Sequence, residues 1–296
     1  MILIRNLSFR YEGASRYALS GINFDIPDGD FVGIIGSSGA GKSTLSYALN
    51  GVVPHHFPGD YYGEVIVNGL DTLAVQPDMI SRQLGSVFQD IDAQMTAAVV
   101  EDELLFGLEN FAVPHNEIEG RITSALDAAG IGNLRQRVIS SLSGGQKQKV
   151  AIAAITALRP RVIVLDEPTG ELDPQSSRKI FEYLRELNEQ YGITIIIVEQ
   201  KIMLLCEFCK RLAVMDKGTL SLEGSVAEVL QHGESLEQAG VNIPRVTTLG
   251  RRLKEKNLYK GALPCNLEQA VTMMRSLSYS AEPTAGMDHS AGAVPC

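Results

Sequence analysis

The stretch Gly36-Ser37-Ser38-Gly39-Ala40-Gly41-Lys42-Ser43-Thr44, called the nucleotide loop below, matches the pattern G-x-x-x-x-G-K-[ST]. It follows the apolar run Phe31–Ile35, which predicts a buried strand, and it opens a segment with helical spacing. Glycines let such a loop close around a polyphosphate, whose oxygens accept backbone N–H groups at the helix N-terminus. We expect Lys42 to neutralise the β and γ phosphates and the Ser43 hydroxyl to bind Mg²⁺.

A second apolar run, Val162–Leu165, ends in the carboxylates Asp166 and Glu167. An acidic pair at a strand end is common and carries little weight alone. Coupled to the nucleotide loop, it predicts that Asp166 holds Mg²⁺ through water, whereas Glu167 orients or deprotonates an attacking water. Nucleotide hydrolysis is therefore the leading interpretation.

The signature segment, Leu142-Ser143-Gly144-Gly145-Gln146, stands at the start of a helical stretch. Five specified residues rarely match by chance, and here the sequence resembles the ATP-binding-cassette (ABC) ATPases over about residues 2–230. In that family the LSGGQ signature caps the γ-phosphate of ATP held by a second subunit. Ser143 and the amides of the two glycines would form an anion site at a helix N-terminus. The resemblance thus implies ATP and Mg²⁺ as cofactors, and a dimer.

Further roles are implied by the same resemblance. Tyr11 matches the aromatic residue that stacks on adenine, although a tyrosine covering an edge strand is an alternative interpretation. Gln89 matches the glutamine that contacts Mg²⁺ and the lytic water. Gln200 stands where the family normally has a histidine that contacts the γ-phosphate, and the five histidines of the chain lie elsewhere.

The glutamine at position 200 leaves two hypotheses open. A glutamine can donate a hydrogen bond to a phosphate oxygen, but it cannot carry the positive charge of a protonated imidazole. In the first hypothesis, a different partner ATPase has its own histidine, faces this chain's signature segment and performs most of the hydrolysis. In the second, Gln200 is sufficient for hydrolysis and the protein works as a homodimer with a slower rate.

The pattern of the chain predicts a three-layer α/β fold of the P-loop NTPase type. Buried parallel strands are expected at Phe31–Ile35, Val162–Asp166, Ile193–Glu199 and Arg211–Met215, and an antiparallel region at residues 2–9, 18–26 and 64–68. A helical subdomain is expected at about 96–158 within an ATPase domain of residues 1–240. Residues 241–277 are expected to form a C-terminal extension, which in related ATPases helps to hold the dimer together, and residues 278–296 a flexible tail.

Composition excludes several classes of protein. The chain has 296 residues with 35 acidic and 26 basic side chains, and its net charge of −9 argues against a general affinity for nucleic acid. No apolar run is long enough to span a bilayer and none resembles a signal peptide, so these patterns predict a soluble, cytoplasmic chain. The resemblance to transporter ATPases implies that it attaches peripherally to the cytoplasmic face of a membrane. Cys206 and Cys209 form a C-x-x-C pair without a second pair, and packed thiols are a better interpretation than a metal site.

Two acidic segments indicate which class of ABC transporter the chain resembles. The ATPases of the energy-coupling-factor (ECF) importers of vitamins and transition-metal ions have segments similar to Asp90-Ile91-Asp92-Ala93-Gln94 and Val100–Asn110. In this chain, Asp90 and Ile91 replace the usual Asn and Pro. The resemblance implies a transmembrane coupling subunit and a substrate-binding membrane subunit as partners. The carboxylates Glu101, Asp102, Glu103 and Glu109 are expected to pair with arginines of such a partner, and a solvated acidic helix face is the alternative.

Other functions remain open at this point. The chain also fits the ATPase of another class of ABC transporter. A soluble ABC protein of DNA repair or translation is less consistent with the sequence, because it has neither a long coiled-coil insertion nor a second cassette.

Overall fold

A computed structural model describes residues 1–170 and 172–279, and these form two units, Met1–Ile243 and a second unit that begins at Pro244. Within the described residues, ten strands form two sheets. Their bounds are β1 Ile2–Tyr11, β2 Leu19–Ile26, β3 Phe31–Ile35, β4 Gly59–Val67, β5 Leu70–Asp71, β6 Leu84–Val87, β7 Val162–Asp166, β8 Thr194–Val198, β9 Arg211–Asp216 and β10 Thr219–Ser225.

The larger sheet has the order β10-β9-β3-β8-β7-β6, in which only the β9–β10 pair is antiparallel. Strands β3, β7 and β8 are completely buried, as expected for parallel strands that crossover helices cover. The four strands predicted for this sheet are confirmed. The sequence patterns missed β6 and β10, because β6 is only four residues long and β10 is half exposed.

The smaller sheet is antiparallel and has the order β2-β1-β4-β5, which confirms the predicted antiparallel region. Its inward residues, such as Ile4 and Val65, belong to the same buried cluster as Ile34 of β3 and Leu45. The main hydrophobic core therefore includes side chains of both sheets, and this burial holds the segment after β3 in place.

Twelve helices connect or follow these strands in the described part of the chain. Their bounds are α1 Lys42–Leu49, α2 Val52–His55, α3 Pro77–Ser81, α4 Val100–Asn110, α5 His115–Ala128, α6 Gly144–Ala157, α7 Pro174–Tyr191, α8 Ile202–Phe208, α9 Val226–Gln231, α10 Gly233–Gln238, α11 Arg245–Glu255 and α12 Leu267–Tyr279.

Helices α4, α5 and α6 build the predicted helical subdomain around a core of their own. Leu104, Ile122 and Val150 belong to a buried cluster that is separate from the main core. Glu101, Asp102 and Glu103 stand in the first turn of α4, where the helix dipole favours negative charge. Arg135 joins this turn to α5, since its guanidinium bonds both Glu101 and Glu119.

The second unit contains α11 and α12. Thr247 of α11 is fully buried, and its hydroxyl donates to the carbonyl oxygen of Pro264 at 2.6 Å. Helix α12 continues to Tyr279, which includes the first two residues of the predicted tail. The rest of that tail, residues 280–296, lies outside the described residues.

Candidate functional site

The nucleotide loop joins β3 to α1, the position that a phosphate-binding loop requires. Gly41 has a φ of +99°, and a Cβ at this position would lie 2.5 Å from the carbonyl oxygen of Ala18. Only glycine therefore fits this point of the loop. Lys42 is buried, and its Nζ donates to the carbonyl oxygens of Gly36 and Ser37 at 2.9 Å each.

Asp166 lies at the carboxyl end of β7 and is only 3% exposed. Burial raises the pKa of its carboxyl group above the ordinary value, and a hydrogen bond with the Ser43 side chain partly opposes this effect. Its Oδ1 atom is buried without a hydrogen-bond partner among the described residues. A buried, unpartnered carboxylate oxygen beside a serine hydroxyl fits a hard cation such as Mg²⁺, which prefers oxygen ligands.

Glu167 is the next residue, and two glutamine amides reach its carboxylate. Gln200 Nε2 donates to Oε1 at 2.7 Å, and Gln89 Nε2 lies 3.4 Å from Oε2. The three residues come from the ends of three neighbouring strands, β7, β8 and β6. The sheet order thus brings together three of the four side chains predicted for catalysis, and the fourth, Lys42, lies at the nucleotide loop.

Glu199 is a buried carboxylate that the sequence analysis missed. It is 3% exposed, and its Oε1 accepts hydrogen bonds from the backbone N–H of Thr169, at 3.1 Å, and from the Thr169 hydroxyl, at 2.5 Å. Its other oxygen accepts the backbone N–H of Gln200 at 3.2 Å. These bonds tie the segment after β7 to the end of β8, and so fix the chain on both sides of the Glu167–Gln200 contact.

The signature segment leads into α6, and its last three residues form the first turn of that helix. Ser143 is the N-cap, and its side chain and that of Gln146 bond each other's backbone N–H groups in a reciprocal capping box. The N–H groups of Gly144 and Gly145 are first-turn donors without an intrahelical acceptor. No hydrogen bond among the described residues joins the signature segment to the nucleotide loop of the same chain.

Tyr11 ends β1 beside the nucleotide loop. Its hydroxyl lies 3.1 Å from the hydroxyl of Thr44, and its ring packs edge-on against Phe9 at 4.8 Å between centroids. The residue is half buried.

Cys206 and Cys209 are both buried and not disulfide-bonded. Cys206 lies in α8, and Cys209 is the residue that follows Phe208 at the C-terminal end of that helix. Burial raises the pKa of the Cys209 thiol well above its ordinary value, which disfavours the thiolate form.

Comparison with known proteins assigns this site to a family. Residues 19–170 match the family model described as ABC transporter. A "Putative ABC transporter ATP-binding protein" of Pyrococcus horikoshii is 39% identical over 263 residues, which cover 89% of this chain and 93% of that protein. The "Putative HMP/thiamine import ATP-binding protein YkoD" of Bacillus subtilis is 36% identical over 273 residues. The chain spans half of YkoD and between 42% and 48% of several other relatives.

Solved structures agree with the sequence relatives. CbiO1 of Clostridium perfringens, described as part of the ABC transporter complex cbiONQ, superposes with a TM-score of 0.69 at 33% identity and covers 84% of this chain and 97% of that one. The ATP-binding cassette MJ0796, in a dimeric post-hydrolysis state with ADP and Pi, also has a TM-score of 0.69, at 28% identity, and covers 76% of this chain and 99% of its own.

The chain therefore belongs to the ABC transporter family and carries its ATP-binding ATPase domain. It is similar over most of its length to ATP-binding subunits of such transporters. No helix in the described part of the chain combines the length and the hydropathy needed to cross a bilayer.

Proposed function

We propose that this chain hydrolyses Mg·ATP at the interface of an ATPase dimer and thereby drives a membrane importer of the ECF type. The observation that carries the proposal is the convergence of Gln89 and Gln200 on Glu167, next to the buried Asp166. Two amide donors give this carboxylate a defined orientation, which a general base for water requires.

The chemistry follows from the placement of the residues. Lys42 and the N–H groups of the nucleotide loop bind the phosphates, and Glu167 orients the attacking water and accepts its proton. Ser43, Gln89 and Asp166 are the residues that would hold Mg²⁺. When bound, this ion neutralises charge that develops on the phosphate oxygens.

The signature segment completes the site of a second subunit. Its exposed helix N-terminus presents N–H donors, and no phosphate-binding residue of its own chain bonds to it among the described residues. We propose that Ser143, Gly144, Gly145 and Gln146 contact the γ-phosphate held by a partner. The partner is either a second copy of this chain or a different ATPase.

A membrane partner is proposed to dock in an apolar groove of about 370 Å³ beside the helical subdomain. Phe88, Phe106 and Ile155 line this groove, and Phe106 is 52% exposed. Such a groove suits the apolar face of a helix. The acidic contacts expected from the sequence need a correction, because Glu101 is engaged by Arg135 and Glu103 accepts the backbone N–H groups of Thr96 and Ala97.

Asp102 and Glu109 are therefore the acidic residues proposed to meet a basic partner. Both are exposed, and neither forms an ion pair among the described residues. Docking of such a partner would place the protein at the cytoplasmic face of the membrane.

The ECF assignment rests on the resemblance of the segments 90–94 and 100–110, and two relatives support it. CbiO1 is described as part of the complex cbiONQ, and YkoD is named for HMP/thiamine import. We accordingly propose a vitamin or a metal ion as the transported substrate.

The C-terminal extension is proposed to contribute to the dimer. Leu258 and Leu267 of the second unit are 59% and 72% exposed, and Met274 of α12 is 50% exposed. Three exposed apolar side chains on so small a unit favour contact with another protein surface. Leu267→Glu is expected to weaken the dimer, as measured by sedimentation, whereas an unchanged dimer would contradict this part of the proposal.

The hydrolytic function is tested by Glu167→Gln, which keeps the size of the side chain and removes the base. We expect Mg²⁺-dependent ATP hydrolysis to fall by about 10²–10⁴-fold, with ATP still bound. Glu109→Gln makes the same chemical change on an exposed helix face and should retain the activity of the isolated protein. Full hydrolysis by the Glu167 variant would contradict the assignment.

The transport function is tested by purification from membranes of cells that express the tagged chain. We expect a transmembrane coupling subunit and a small substrate-binding membrane protein to copurify. Recovery with membrane subunits of another type would place the chain in another class of ABC transporter. Recovery with DNA or ribosomes, without membrane association, would favour a soluble ABC protein.

A further inference from the structure

Gln148 is a buried amide on α6, two residues after the end of the signature segment. It is only 3% exposed, and its Nε2 donates to the backbone carbonyl oxygen of Glu167 at 3.0 Å. Its Oε1 is buried without a partner among the described residues. Burying an amide with half of its bonding capacity unused contributes little to stability, so the benefit of this side chain lies in what it holds.

The backbone that Gln148 holds has an uncommon conformation. Glu167 has a φ of +51°, in the left-handed region that residues with a Cβ seldom adopt. Its N–H donates to Val198 of β8 at 2.9 Å, and its carbonyl oxygen also accepts the N–H of Gly170 at 3.2 Å. Among the described residues, the side chain of Gln148 is the one on α6 that donates a hydrogen bond to the carbonyl oxygen of Glu167.

We infer that Gln148 is a positioning residue, which holds the left-handed backbone of Glu167 and links it to the signature helix of the same chain. The inference rests on the proposed function, because it assigns Gln148 to the same hydrolytic site. Gln89 and Gln200 orient the carboxylate of Glu167, whereas Gln148 orients the peptide from which that carboxylate extends.

The link has a consequence for communication between sites. Gln148 and the N-cap Ser143 belong to one helix, and an α-helix moves as a stiff element. A displacement of α6 when its N-terminus meets a partner's nucleotide would therefore act on the peptide of Glu167. In this way, nucleotide binding at the partner's site can change the position of Glu167 in this chain's own site through the hydrogen bond from Gln148.

The test compares full-length wild type with Gln148→Met, which keeps the length of the side chain and removes the donor. Glu167 O retains its bond from Gly170, so the variant should fold. We expect kcat for ATP hydrolysis to fall by about tenfold or more, while the Kd for ATP stays within about twofold, because the phosphate-binding loop is untouched. We also expect faster hydrogen exchange at the Gly170 amide, a measurement that needs no hydrolysis.

Asn188 supplies a matched control for the loss of a buried amide. It is 5% exposed and donates to the carbonyl oxygens of Gly29 and Ile193, at the opposite end of the parallel strands. Asn188→Leu should lower the thermal unfolding temperature and leave kcat and the exchange of Gly170 near their wild-type values. If Gln148→Met does not fold, Gln148→Ala removes the same donor without adding an apolar group.

The outcomes separate the two proposals. Wild-type kcat and wild-type exchange in the Gln148 variant would overturn the inference, and so would an equal loss of kcat in the Asn188 control. Faster exchange at Gly170 in a protein whose wild type hydrolyses no ATP would support the positioning role and contradict the proposed hydrolysis.

Discussion

The Nε2 amide of Gln200 donates a hydrogen bond to Oε1 of Glu167 at 2.7 Å, so the residue that the resemblance aligns with the family's histidine bonds directly to the proposed base. The two residues follow neighbouring strands, β7 and β8, which pair in parallel with Asp166 opposite Val198. The contact is therefore set by the register of the sheet. A neutral amide supplies the donor here, and it does so independently of pH over the physiological range.

The first prediction concerns this contact. Gln200→Ala should lower kcat about tenfold, because the carboxylate of Glu167 loses its shorter hydrogen bond. Gln200→His should restore a donor and add a titratable group, so its pH–rate profile should show an inflection near the ordinary histidine pKa of about 6.5 that the wild type lacks. An unaltered rate in Gln200→Ala would contradict the positioning of Glu167 by this residue.

The second prediction concerns the shape of the nucleotide loop. Gly41→Ala should abolish ATP binding in a fluorescent-nucleotide assay, because the new Cβ would collide with the carbonyl oxygen of Ala18 and the φ of +99° excludes alanine. Gly130→Ala is the control, since Gly130 also has a positive φ, +67°, with no atom within 4 Å of its Cβ. That variant should lose stability but bind ATP. Equal affinities in the two variants would argue against the steric explanation.

A third prediction follows from the raised pKa of Asp166. Because burial favours the protonated form, a proton competes with Mg²⁺ at this carboxylate, and the affinity for Mg²⁺ should decline as the pH falls toward that raised pKa. Titration calorimetry with Mg·ATP at several pH values measures this effect. Asp166→Asn should remove it, whereas Asp78→Asn, an exposed carboxylate on α3, should keep it.

The fourth prediction concerns stability in acid. Arg135 bonds both Glu101 and Glu119 and thereby holds the pKa values of both carboxyl groups below their ordinary range. A carboxyl group with a lower pKa in the folded state stabilises the fold above its unfolded pKa, and this contribution is lost as the pH falls through the folded value. Below about pH 4.5, the ordinary glutamate value, the network should therefore weaken.

Glu101→Gln measures that contribution. We expect a loss of about 0.5–1 kcal/mol in the free energy of unfolding at pH 7, a small value because solvent screens a partly exposed pair, and almost no difference from wild type near pH 2. Urea unfolding at the two pH values gives the comparison. Glu109→Gln serves as the control, because Glu109 is exposed and forms no ion pair among the described residues. A loss that persists at pH 2 would exclude the electrostatic origin.

Several parts of the fold could be predicted because their patterns are local. Buried parallel strands such as β3 and β7 are continuous apolar runs, and both were predicted with the bounds that the structure shows. Strand β10 escaped prediction because it alternates between exposed and half-exposed positions at the edge of the sheet. Its pairing with β9 depends on residues distant in space rather than on its own composition.

The candidate site divides in the same way. The nucleotide loop, Asp166, Glu167 and the signature segment could be predicted because their chemistry lies within a few consecutive residues. Glu199 and Gln148 were missed, because a single Glu or Gln forms no recognisable sequence motif and its hydrogen-bond partner is known only from the structure. The contacts of Glu199 with Thr169 and of Gln148 with the carbonyl oxygen of Glu167 bridge 30 and 19 residues of chain.

By itself, the sequence determined that this chain has a phosphate-binding loop, a carboxylate pair at a strand end and a signature helix, since glycine content, apolar runs and caps are properties of neighbouring residues. Only the tertiary structure decided that the amide groups of Gln89, Gln200 and Gln148 all lie within hydrogen-bond distance of Glu167. Three strand ends and one helix meet at Glu167, because neighbouring parallel strands end at the same edge of a sheet. Hydrogen bonds require short distances between donor and acceptor, and only the packing of these elements provides them.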